Sequence, residues 1–186
     1  ENEALQIQAD TDALCGIPNR YAMDRELEHA FERAYAAHTT LAIGMIDVNR
    51  FKEVNDVYGH QTGDRYLAMI GRVLKRFAKD QHIFCARYGG DEFLVIYEDM
   101  REEDILKTAR EIGRTIAKRR VTTGGKPAGQ GVSISQGICH GILRQKTRPW
   151  DFLSEADAAL YEAKRSGDTK DGVTLHRLSG RSRKQA

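Results

Sequence analysis

The stretch Arg87-Tyr88-Gly89-Gly90-Asp91-Glu92-Phe93 constrains the fold more than any other. Ile83 to Arg87 is short and largely apolar, and Phe93 to Tyr97 (Phe-Leu-Val-Ile-Tyr) is a dense run of strand formers. Two glycines lie between them. The pattern predicts a β-hairpin, because tight primed turns need positive φ, which glycine adopts at little steric cost. Asp91 and Glu92 follow at once, with opposite side-chain directions if the strand starts there. Two acids beside an apolar strand are costly unless something positive meets them. A divalent cation would do so, and a carboxylate-rich oxygen site suits magnesium. Taken alone, the four residues Gly-Gly-Asp-Glu also fit a solvated polar turn without function.

A second acid stands in a comparable place. Leu41 to Val48 is a nearly continuous apolar run that reads as a buried strand, and it carries Asp47 near its end. If the two strands are neighbours, Asp47 and Asp91 approach each other. At ~4 Å and an effective dielectric of ~20 they would repel by about 4 kcal/mol, and a shared cation reverses that sign. After Asp47 the chain turns through Asn49, Arg50 and Phe51, whose amides near a helix start suit a polyphosphate, and Lys52 adds a positive charge.

Helical periodicity accounts for most of the remainder. Met23, Leu27, Ala30, Phe31 and Ala34 predict a helix to about His38, and Leu67, Ile70, Leu74 and Phe77 predict one over 61–79, followed by a polar connector to His82. Further helices are expected over 102–120 and 150–165. A strand is expected over 132–142, and a short closing strand or tail over 172–178. Gly124 to Gly129 lacks the spacing of a phosphate-binding P-loop and reads as a hairpin-type connector. This order predicts an α+β (α/β sandwich) fold, with a mainly antiparallel central sheet flanked by helices.

Four further stretches extend the pattern of the hairpin. They are Asp12-Ala-Leu-Cys-Gly-Ile-Pro-Asn-Arg20; Asp47-Val-Asn-Arg-Phe-Lys-Glu-Val-Asn-Asp56; Gly59-His60 with Gly63-Asp64; and Ala156-Asp-Ala-Ala-Leu-Tyr-Glu-Ala-Lys164. With the hairpin, they resemble the GGDEF family, the diguanylate cyclases, over roughly Asp12 to Lys164. The resemblance implies a palm-like fold related to nucleotidyl cyclases and polymerases, and condensation of two GTP into cyclic di-GMP. It also implies site residues. Asp47, the Val48 carbonyl, Asp91 and Glu92 would hold magnesium or manganese. Asn55 and Asp64 would bind guanine, Lys52 and Lys164 the phosphates, and Arg50, Phe51 and His60 would line the substrate. Asp91, Glu92 and Lys52 are the candidate catalytic residues, Glu92 serving either as a metal ligand or as the base for the 3′-hydroxyl. A buried Asp64 would reject adenine; a helix N-cap is its alternative role. Asn19 and Arg20 are read as bracing their turn. Because each GTP attacks the other, a two-fold homodimer is implied, with an upstream sensor domain in the parent protein.

Three departures from the family pattern stand out. Asn49 replaces an aspartate. Asp80 and Ile83 stand where many members carry an inhibitory Arg-x-x-Asp, so no product inhibition through that site is expected. Asp168 replaces an arginine that meets the triphosphate, with Arg165 or Lys170 as compensating cations, and this keeps a second reading open: a weak or inactive domain serving as a GTP-binding regulatory module. The composition fits a globular domain, with 40% apolar and 30% charged residues. A net charge of +2 argues against nucleic acid or a membrane surface as partner. Cys15, Cys85 and Cys139 form neither a zinc nor a disulfide pattern, which points to a reducing, cytoplasmic location with membrane anchoring of a longer parent left open. Residues 1–12 are read as the end of an upstream helix, 13–178 as the domain and 179–186 as a basic tail. The start at Glu1 is read as the cut end of a longer chain.

Overall fold

A computed structural model describes residues 2–129, 131–165 and 171–178. The elements in order are α1 (Asn2–Asp10), α2 (Arg20–Ala37), β1 (Thr40–Val48), α3 (Phe51–Tyr58), α4 (His60–Gln81), β2 (Phe84–Gly89), β3 (Glu92–Glu98), α5 (Glu102–Ala117), β4 (Thr122–Thr123), β5 (Lys126–Pro127), β6 (Ile134–Ile142), α6 (Pro149–Arg165) and β7 (Val173–Arg177). Five strands form one sheet in the order β2-β3-β1-β6-β7. All neighbours are antiparallel except β6 and β7, which run parallel.

Side-chain alternation along β1 builds both layers. Leu41, Ile43 and Met45 face α2 and α6, where they pack with Met23, Leu27, Phe152 and Ala156. Ala42, Ile46 and Val48 face the other way, into a core with Tyr66, Leu67, Ile70 and Ile112 of α4 and α5. A sheet buried on both faces explains why β1 and β3 read as continuous apolar runs rather than alternating ones. The period of two also puts Asp47 on the α6 face, at the open end of the central strand.

Several expectations are revised. An additional helix, α3, precedes α4; it is eight residues long, buries none of them and meets α4 at Gly59, whose φ is +85°. The connector expected over 79–82 is mostly helical, since α4 runs to Gln81 and ends at His82 in the left-handed region. In the β2–β3 turn only Gly90 takes positive φ (+54°), and the register slips between Arg87 and Gly89. The Gly124-Gly125 connector is a small hairpin in which both glycines have positive φ, as a type I′ turn requires.

Close backbone approaches fix the helices near the sheet end. A side chain at Gly137 of β6 would lie 2.0 Å from the Leu160 nitrogen, so α6 packs directly on the strand. Asp12 accepts from the amides of Leu14 and Cys15 and pairs with Arg87, whose guanidinium also donates to the Gly90 carbonyl at 2.8 and 3.1 Å. Arg20 lies 3.9 Å over the Tyr88 ring. The first motif is thereby tied to the hairpin turn. Asn19 caps α2 by accepting from Ala22 and donates to the Ala9 carbonyl.

Candidate active site

The acids gather where β1 and β3 end. Asp47 and Glu92 are register partners across the two strands. Opposed residues share a face with Cβ atoms about 5 Å apart, and like charges there destabilise each other. Asp91 occupies the adjoining turn, where its carbonyl accepts from the Val48 amide at 3.2 Å. Burial first, then the Asp47 charge, raises the pKa of Asp91. Glu92 is raised by burial, then by Asp47, Asp91 and Asp157. Asp157, on α6, is itself raised by burial.

A lysine answers these acids. Lys164, in the last turn of α6, sets its Nζ 2.5 Å from Asp47 Oδ2. The strand period and the α6 contact at Gly137 together bring it there. Its expected phosphate contact is therefore a different state from the one seen, in which it neutralises Asp47. Among the described residues no three acids, cysteines or histidines make a ready cage for a metal ion. The donor set still suits magnesium, which takes one or two carboxylates plus substrate phosphates. Asp47, Asp91, Glu92 and the Val48 carbonyl are the oxygens on offer.

A second group lies where α3 crosses α4. Asn55 Oδ1 is buried and has no hydrogen-bond partner. It rests against Gly63, where a Cβ would come within 1.9 Å of that oxygen and 3.1 Å of the Phe51 ring. An orphaned buried acceptor costs about 1–3 kcal/mol, so it fits a ligand N–H. Asp64 follows in the second turn of α4 and is exposed. It is neither the N-cap nor the buried acceptor expected from the sequence. Arg50 precedes α3 with φ +54°, a costly conformation for a residue with a side chain, and makes no capping bond. Lys52 and His60 are exposed, and neither makes an ion pair among the described residues. Among the described residues no contact brings them to the acids.

Asp157 and a cleft were not singled out from the sequence, and neither were the partners of Asn49. Asp157 was visible inside the α6 motif but carried no assigned role. Asn49 is clasped by two serines, donating to Ser133 Oγ at 2.9 Å and accepting from Ser135 Oγ at 2.7 Å. A cleft of about 1220 Å³ opens next to Lys164, bordered by Val48, Asn49, Arg50 and two arginines of α5, Arg110 and Arg114. Asp168 and Lys170 lie outside the described residues, as does the basic tail 179–186. Asp80 pairs with Arg76 at 3.5 Å and Ile83 is buried, so neither forms an Arg-x-x-Asp site.

Comparison with known proteins agrees with this arrangement. The family model for the diguanylate cyclase GGDEF domain matches residues 9–170. A diguanylate cyclase of Vibrio cholerae is 31% identical over 167 residues, which cover 89% of this chain and 50% of the relative. Diguanylate cyclase DosC of Escherichia coli is 29% identical over 166 residues, covering 89% of this chain and 35% of that protein. The chain thus spans half or less of the length of these relatives. The coiled coil and GGDEF domain of DgcB from Caulobacter crescentus, solved with c-di-GMP, superposes with a TM-score of 0.84 at 31% identity, covering 94% of this chain and 90% of that one. Acid-tipped central strands, a lysine from the last helix and an orphaned amide between two helices belong here to a chain that is a member of the GGDEF domain family.

Proposed function

We propose that this domain condenses two GTP molecules into cyclic di-GMP and two pyrophosphates. The observation that carries the reading is the opposition of Asp47 and Glu92 across β1 and β3, with Lys164 already drawn to the pair. That is an electrostatic frame for a phosphoryl group and its cation.

Guanine would enter between α3 and α4, donating to the free Asn55 oxygen, with Asp64 at the pocket's edge accepting further N–H groups. The amides at Asn49 to Phe51 and the side chains of Arg50, Lys52, His60 and Lys164 would surround the triphosphate. Asp47, Asp91, Glu92 and the Val48 carbonyl would hold magnesium or manganese, which stabilises charge on the α-phosphate. Glu92 would serve either as a ligand of that cation or, in its place, as the base that takes the proton of the attacking 3′-hydroxyl. The 3′-oxygen bonds to the α-phosphorus of the other GTP, and the bond to pyrophosphate breaks. Repeating the step in the opposite sense closes the ring, so two domains must face each other as a two-fold dimer. An upstream sensor or coiled-coil segment in a longer parent would control that encounter. Among the described residues no helix is long and apolar enough to cross a membrane.

The test is incubation with GTP and magnesium beside Glu92→Gln, with products separated by chromatography. Cyclic di-GMP from the parent and at least a hundredfold less from the variant is expected, at the lower end of general-base effects. No product from a dimer that binds GTP would instead favour the regulatory module, a reading supported by the lysine that closes over Asp47.

A further inference from the structure

We infer that Arg114 of α5, with Arg110 one turn before it, grips the terminal phosphates of GTP. The inference rests on the guanine-nucleotide reading above and identifies where the phosphate tail goes. The cleft next to Lys164 is lined by four cations, Arg50, Arg110, Arg114 and Lys164, against two acids, Glu53 and Asp171. Two of these cations are committed. Lys164 lies on Asp47, and Arg110 Nε donates to Asp171 Oδ2 at 2.5 Å. Arg114 is exposed to the cleft and makes no side-chain hydrogen bond or ion pair among the described residues. Residues four apart on a helix share a face, so both arginines point the same way.

The two flanks of α3 give the ligand its direction. Phe51 and Asn55 face α4 and Gly63, where the base would sit. Glu53, Val54 and Val57 border the cleft with Arg110 and Arg114. A nucleotide lying across the start of α3 would have its base on one flank and its tail on the other, with Lys164, which lines the cleft and touches Asp47, joining the tail to the acids.

The test compares binding of GMP with that of a GTP analogue whose α–β bridge is methylene and cannot release pyrophosphate. Calorimetry with magnesium is run on the parent, Arg114→Gln and Arg114→Lys. Arg114→Gln should weaken the triphosphate analogue about ten- to hundredfold, the range of one charge-assisted contact, and change GMP less than twofold. Arg114→Lys should recover part of the loss. Unchanged analogue affinity in Arg114→Gln, or equal weakening of both ligands, overturns the inference. A parent that binds the analogue no better than GMP also overturns it while leaving the guanine site standing. A parent that binds neither removes the guanine-nucleotide reading itself.

Discussion

Two residues at the base of the site show how a small side chain can hold a ligand position open. Asn55 leaves its oxygen unpaired because Gly63 provides the space against which it lies. A methyl group at position 63 meets that oxygen at 1.9 Å, closer than any contact can be. Gly63→Ala must therefore turn the amide or move α3. The expected result is a fall in GMP affinity of tenfold or more, with a stability loss of about 1–3 kcal/mol, the usual range for overpacking. Calorimetry and thermal melts read the two effects separately. Undiminished GMP affinity would mean that Asn55 is not a base contact. Lys164 makes the complementary case, in which a residue is held by what it neutralises. Its ammonium compensates Asp47, which faces Glu92 across the two strands.

Among the described elements, β7 has an attachment that pH is expected to change. It pairs in parallel with β6 and is fastened to α6 by His176, whose Nδ1 lies 3.2 Å from Glu155 and Nε2 2.9 Å from Glu162. Both ring nitrogens meet carboxylates, so the protonated ring is favoured. The hydrogen bond to Glu162, opposed by burial and reinforced by Glu155, raises the His176 pKa above its ordinary value. A raised folded pKa contributes stability that is complete below the unfolded value, about 6.5, and is lost as pH rises through the folded one. The parent should thus melt lower at pH 8.5 than at pH 6 by a margin that His176→Gln reduces. Equal margins in paired thermal melts would remove this role.

Elements with a long apolar period were legible in the sequence. β1, β3, α2, α4, α5 and α6 were all anticipated, because each buries a continuous run or a helical stripe. α3 was not separated from α4, because it buries no residue and its boundary is one glycine. The acids and Lys164 were legible through their motifs. The approach of the acids was expected on condition that β1 and β3 are neighbours, which they are; the Lys164–Asp47 contact was not, since sequence reading treats such distant residues one at a time. The exposure of Asp64 depends on which face of α4 meets α3, and motif spacing does not report that.

At the scale of the whole molecule, the described residues hold the orphaned Asn55 amide, the proposed guanine contact, and a cluster of acids at the end of β1 and β3, while the proposed product contains two guanines joined by two new phosphodiester bonds. A single copy would thus hold only half of the reactants. On the proposed reaction the second half-site would come from another copy, set face to face, so that each 3′-oxygen reaches the other nucleotide's α-phosphorus at roughly 3–3.5 Å. This makes the rate a property of association. Well below the dimer dissociation constant, the dimer concentration rises as the square of the protein concentration, so turnover per chain rises in proportion to protein. Above that constant, turnover per chain becomes level. Initial rates of pyrophosphate release across a hundredfold range of protein, at saturating GTP and magnesium, should trace this curve. The midpoint should coincide with the dissociation constant from sedimentation. A tethered dimer, made by fusing a parallel coiled coil ahead of α1, should abolish the dependence and hold turnover at its upper level. Constant turnover per chain from an untethered monomer would mean that one copy completes the chemistry, and the two-fold arrangement would then fall.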